Sequence, residues 1–177
     1  IALTQSNSSI RVDYDVAWIA HAGQVGLTRL LADNSTFYPC GAAAYVALKY
    51  RVLEPQSRPG AATMGLILYD GSACTEESCR AGLGYTNELY ISYHDENLDD
   101  DSGDWREIRL GLCGSASPDS PFTRINGIGP QGNRAMDSDR LVGFQIFATA
   151  APPGKDGVSE PTQGAIELDE LVCVEDD

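Results

Sequence analysis

The chain has 177 residues, 42% of them hydrophobic and 21% charged, with a formal net charge of −14. That length accommodates one domain with a core of its own, expected to span residues 1–177. The acidic balance repels nucleic acid and anionic membrane surfaces, and no apolar run approaches the ~20 residues of a membrane-spanning helix, so neither nucleic-acid binding nor membrane insertion is expected.

In chain order, residues 9–18 (SIRVDYDVAW) alternate cleanly. Ile10, Val12, Tyr14, Val16 and Trp18 share one face, and Arg11, Asp13, Asp15 and Ala17 the other, the pattern of a half-buried strand. Residues 25–31 form a second short apolar run, readable as a strand or as one helical turn. In AYVALKYRV, Val46, Leu48, Tyr50 and Val52 oppose Tyr45, Ala47, Lys49 and Arg51, and the EPQSRPG segment that follows is an exposed turn. The next strand sets Met64, Leu66 and Leu68 against Ile67 and Tyr69. Residues 88–94 set Leu89, Ile91 and Tyr93 against Tyr90, Ser92 and His94. After an acidic turn, Trp105, Glu107 and Arg109 oppose Arg106, Ile108 and Leu110. Residues 114–139 carry little regular pattern and read as a long loop, functional or flexible. Residues 141–149 are almost continuously apolar, and GAIELDELVC (164–173) closes the chain. Short strands punctuated by Gly, Pro, Asp and Ser, with no convincing helix between them, predict an all-β, two-sheet antiparallel β-sandwich.

Five cysteines are present, Cys40, Cys74, Cys79, Cys113 and Cys173, with only two histidines and no CxxC pair. Zinc ligation is therefore disfavoured against disulfides formed in an oxidising compartment. Cys74 and Cys79 bracket a short Gly/Ser/Glu-rich loop and are expected to staple it. Cys40 and Cys173 are expected to strap the fold, leaving Cys113 as the odd thiol. The sequons at Asn7 and Asn34 agree with a secreted glycoprotein. The chain opens at Ile1, which fits a mature chain or a module of a longer secreted or cell-surface protein.

The ordered series SIRVDYDVAW, AYVALKYRV, a strand ending in Tyr69-Asp70, then Asp104-Trp105-Arg106-Glu107-Ile108, and Ile166-Glu167-Leu168-Asp169-Glu170-Leu171 at the end resembles the galactose-binding-like jelly rolls. It is similar in particular to non-catalytic carbohydrate-binding modules and to the complex I intermediate-associated protein 30 type domain. The resemblance spans most of the chain. It implies a two-sheet jelly roll with a ligand face or rim, and a structural calcium between the first and last strands. By position, Asp169 with Asp13 or Asp15 would supply the hard oxygen ligands such an ion takes. Glu167 and Glu170 depart from the smaller or amide residues frequent at those places in the family.

Sugar recognition needs flat apolar surface for the C–H face of the ring and planar polar groups for the hydroxyls. Candidates are Tyr90 and Trp105 as platforms, with Arg109, Lys49, Arg51, Tyr69 and Gln145 as polar partners. The acidic turn HDENLDDDSGDW fails as an EF-hand. With Asp95 first, Asp100 stands where glycine is required and Arg106 where glutamate is. No nucleophile-elbow, zinc-protease or phosphate-loop pattern is present. The resulting expectation is an extracellular, non-catalytic module that binds a glycan or polysaccharide. The alternative is a structural module that contacts neighbouring protein modules in a fibre or wall assembly.

Overall fold

The computed structural model describes residues 3–6, 9–17, 24–30, 38–71, 88–94, 98–112, 121–125, 135–150 and 161–175. The strands are β1 (Leu3–Ser6), β2 (Ser9–Val16), β3 (Gln24–Leu30), β4 (Tyr45–Glu54), β5 (Ala62–Asp70), β6 (Glu88–His94), β7 (Arg106–Gly111), β8 (Thr123–Arg124), β9 (Leu141–Ala150) and β10 (Thr162–Val174). They form two five-stranded sheets, ordered β1-β2-β10-β4-β7 and β3-β9-β5-β6-β8. Every pairing is antiparallel. The architecture is a jelly-roll β-sandwich, all-β as expected. Among the described residues no helix is long and apolar enough to cross a membrane.

The core lies between the sheets and is built by alternation. Val12, Tyr14 and Val16 of β2, Val46, Leu48, Tyr50 and Val52 of β4, and Ile108 and Leu110 of β7 point into it from the first sheet. Met64, Leu66 and Leu68 of β5, Tyr90 of β6, and Ile146 and Ala148 of β9 meet them from the second. Burial of this kind contributes roughly 25 cal/mol per Å² of apolar surface, the dominant favourable term in such a fold.

The second sheet is apolar on its outer face as well. Ile67, Tyr69, Leu89, Val142 and Phe147 form a separate buried cluster there. Phe147 pairs in register with Gly26 on one side and Gly65 on the other. A Cβ on Gly65 would fall 2.2 Å from the tip of the Phe147 ring, so the glycine is what lets the ring lie across the strand.

β10 carries a register shift between Leu168 and Glu170. Before it, Ile166 and Leu168 face the core; after it, Leu171 and Cys173 do. The extra residue, Asp169, reverses the parity of the strand. That reversal turns Cys173 inward, where it is bonded to Cys40 with a Cα–Cα separation of 5.3 Å. The expected strap is therefore present, and it is compatible with an oxidising compartment.

Residues 24–30 take the first of the two conformations left open for them, a strand. The 114–139 stretch contains strand β8, which pairs with β6, and a 3-10 turn at Ser138–Arg140. Strand β1, which shows no alternation of its own, extends the first sheet beyond β2. Cys74, Cys79, Cys113, Asn7, Asn34 and Trp18 lie outside the described residues.

Candidate functional site

The outer face of the first sheet is polar where that of the second is not. In β4 the even-numbered side chains fill the core, which places Tyr45, Ala47, Lys49 and Arg51 outside. β7 adds Glu107 and Arg109 because Ile108 and Leu110 are buried. β2 adds Arg11, Asp13 and Asp15, and β10 adds Glu167.

Register aligns these residues into rows. Glu167 pairs with Arg11 of β2 on one side and Arg51 of β4 on the other. Lys49 pairs with Glu107. Extending that ladder by two residues sets Trp105, just before β7, beside Arg51. The Arg51 guanidinium lies over the Trp105 ring at 4.8 Å and the Lys49 ammonium at 5.4 Å, both within cation–π range. Arg51 also donates through Nε to Oε2 of Glu167 at 2.6 Å, and its Nη2 stands 2.6 Å from the same oxygen as an ion pair. Glu167 accepts a further bond from the Ser9 hydroxyl. Lys49 reaches Asp169 at 3.4 Å. Further along β7, Arg109 lies 5.2 Å from the Tyr45 ring and pairs with Glu107 at 2.5 Å.

Trp105 is 38% exposed, a large apolar side chain in an otherwise ionic surface. It and Tyr45 mark the two ends of the face. Tyr45 and Arg51 are six positions apart on β4, so their backbone positions stand about 20 Å apart along the strand.

The electrostatics follow from the pairings. The Ser9 hydroxyl, and then Arg51, hold the Glu167 carboxyl below the usual carboxylate range. Arg11, which donates to Asp13 and to Glu54, lowers Asp13 in the same way. The Arg11–Asp13 and Arg109–Glu107 pairs are largely wet and contribute only about 0–1 kcal/mol each, whereas Glu167, 9% exposed, is a buried carboxylate that holds Arg51 in place.

Of the residues singled out in the sequence, Trp105, Lys49, Arg51 and Arg109 share this face. Tyr90 does not. It is wholly buried between the sheets, with its hydroxyl 3.3 Å from Glu88, so its ring offers no platform. The parity of β6 is opposite to the one assumed because Leu89 and Ile91 pack on the outer cluster. Tyr69 and Gln145 sit on the far sheet, joined by a 3.1 Å hydrogen bond. Tyr69 is 8% exposed and belongs to the apolar cluster. They form no common surface with Trp105.

Asp13 and Asp169 do not converge on a calcium position. Asp13 pairs with Ala165, four residues from Asp169, a separation of about 13 Å along the strand. Calcium takes its oxygens at about 2.3–2.6 Å. Asp13 is bound by Arg11 and Asp169 by Lys49, while Asp15 accepts from Gln163 at 3.0 Å. No metal-holding cluster of three or more His, Cys, Asp or Glu side chains occurs among the described residues.

Tyr45 was missed. Its signal was available, since it shares parity with Lys49 and Arg51 on β4.

No protein-family model matches the chain, and no curated protein matches it. Among solved structures the chain is similar to a carbohydrate-binding module specific for non-crystalline cellulose, at 12% identity and a TM-score of 0.39, covering 97% of this chain and 78% of that one. It also aligns with a chain of Desmodium yellow mottle tymovirus, at 9% identity and a TM-score of 0.23, covering 100% and 95%. A chain of Mud crab tombus-like virus aligns at 10% identity and a TM-score of 0.17, covering 98% and 90%.

Proposed function

We propose that this domain is a secreted, non-catalytic carbohydrate-binding module whose ligand lies along the outer face of the first sheet. Trp105 and Tyr45 supply apolar platforms for sugar rings. Arg109, Lys49, Arg51 and Glu107 supply planar or charged hydrogen-bonding groups between them. The observation that carries the reading is the 38% exposed Trp105 beside the Arg51 and Lys49 cations. An exposed indole has no packing role that requires its exposure, while sugar C–H faces stack on such a ring. The spacing of Trp105 and Tyr45 suits an extended chain rather than a single sugar. The roles given at the outset to Tyr69 and Gln145 on the second sheet are set aside for this ligand.

The test is affinity electrophoresis in gels containing soluble neutral polysaccharides, run with and without calcium. Retardation by at least one polysaccharide is expected, independent of calcium. Trp105→Ala should weaken it at least tenfold with little change in melting temperature, and Tyr45→Ala should weaken it less. Absence of retardation on every polysaccharide, or full retention by Trp105→Ala, overturns the proposal. Self-association in place of retardation would favour a module that contacts protein neighbours.

A further inference from the structure

A cavity of about 250 Å³ opens between the sheets at the disulfide end of the sandwich. Its wall is apolar, with Leu68 and Phe144 from the second sheet, Val46 and Leu171 from the first, and the Cys40–Cys173 bridge. Val172, 37% exposed and paired with Ala47 on the outer face, borders it on the solvent side.

Among the described lining residues, Tyr38 is the one whose side chain carries an oxygen or nitrogen atom. Its hydroxyl is buried and has no hydrogen-bond partner among the described residues. The residue is held in place through its backbone, with its N–H on the Leu141 carbonyl at 2.9 Å and its own carbonyl accepting from Cys40 N–H at 2.8 Å. Its ring packs 6.0 Å from that of Phe144. A buried hydroxyl without a partner is destabilising, and a ligand oxygen that accepts from it recovers that cost.

We infer that this cavity is a binding site for a small neutral apolar molecule carrying one hydrogen-bond acceptor, which takes the Tyr38 O–H. Neutrality follows from the wall, whose described residues include no charged side chain to compensate a buried ion. Size follows from volume. An apolar cavity of about 150 Å³ stays dry and binds benzene, so this one holds about ten carbons. The site lies between the sheets, on the opposite side of the first sheet from Trp105 and Tyr45, and does not rest on the carbohydrate reading.

The test uses two ligands of one ten-carbon skeleton: carvone, which carries a ketone, and limonene, which does not. Each is titrated into the disulfide-bonded protein and followed by amide chemical shifts. Both should perturb the amides of the lining residues, and carvone should bind about tenfold more tightly. Tyr38→Phe should bring the ratio to about one while limonene binding persists. A protein that shows no shift at the lining amides up to ligand saturation overturns the inference. So does a carvone preference that survives Tyr38→Phe.

Discussion

The disulfide between Cys40 and Cys173 spans 133 residues, nearly the whole body of the sandwich. In the folded protein it adds little geometry of its own. β10 already lies beside β4, with Cys173 opposite Val46, so the sheet places its two ends. Its contribution must then come chiefly from the unfolded chain, which it prevents from expanding. For a loop of 133 residues, chain-entropy closure corresponds to about 5 kcal/mol at 25 °C. Replacing both cysteines by alanine should therefore cost between about 2 and 5 kcal/mol, the upper part of the usual range. The assay is equilibrium urea denaturation of the bonded protein and of the Cys40→Ala/Cys173→Ala variant. The denaturant slope should rise in the variant, because an uncrosslinked denatured state exposes more surface. A loss below about 1 kcal/mol with an unchanged slope would refute this reasoning. It would mean that the ends of the chain stay together in the denatured state without the bridge.

Gly65→Ala should destabilise by about 1–3 kcal/mol, since the new methyl meets the Phe147 ring, which at 1% exposure has nowhere to go; thermal melting reads this directly. Burial pushes the Tyr14 hydroxyl up to about 12 from 10.0. The unfolded chain then ionises first, so stability is full below pH 10 and falls by about 2–3 kcal/mol as pH climbs toward 12. Tyr14→Phe should flatten that decline and, because the hydroxyl is buried without a partner, cost nothing at neutral pH; a variant less stable at pH 7 would contradict it. For Glu167 the sign is reversed. Its carboxyl is held low by Ser9 and Arg51, so its contribution is present above the ordinary carboxylate range and disappears as pH falls through the lowered value. Glu167→Gln should lose less stability between pH 5 and pH 2 than the parent does, by urea melts at each pH.

The first sheet was legible because its two faces differ in polarity. Arg11, Asp13 and Asp15 between Val12, Tyr14 and Val16 leave one choice of inward face. The same contrast in β4 made Lys49 and Arg51 readable as outward residues. The second sheet buries apolar side chains on both faces, so alternation in β6 carried no sign. Tyr90 and Leu89 exchanged places in the reading because each is a plausible core residue. The parity reversal in β10 was invisible for a different reason. A bulge is a property of the ladder between two strands, and the run IELDELVC shows no glycine to mark it. β8 was hidden because two residues are too few for a period.

The polarity contrast also decides where a polar ligand can bind. On the second sheet's outer face, Ile67, Tyr69, Leu89, Val142 and Phe147 are all under 9% exposed, so this cluster presents nothing to solvent, although Thr28 beside it is exposed and Gln145 half-buried. On the first sheet, the ion pairs do what hydrophobic packing does elsewhere: they hold long side chains in fixed geometry while leaving them wet. Arg51 is the pivot, because one guanidinium both stacks on Trp105 and is fixed by a hydrogen bond and an ion pair to Glu167. If that positioning matters, Arg51→Lys, which keeps the charge but loses the planar fork, should weaken polysaccharide retardation almost as much as Trp105→Ala. Retention of full binding by Arg51→Lys would show that the indole acts alone and that the row from β2 to β7 only stabilises the sheet.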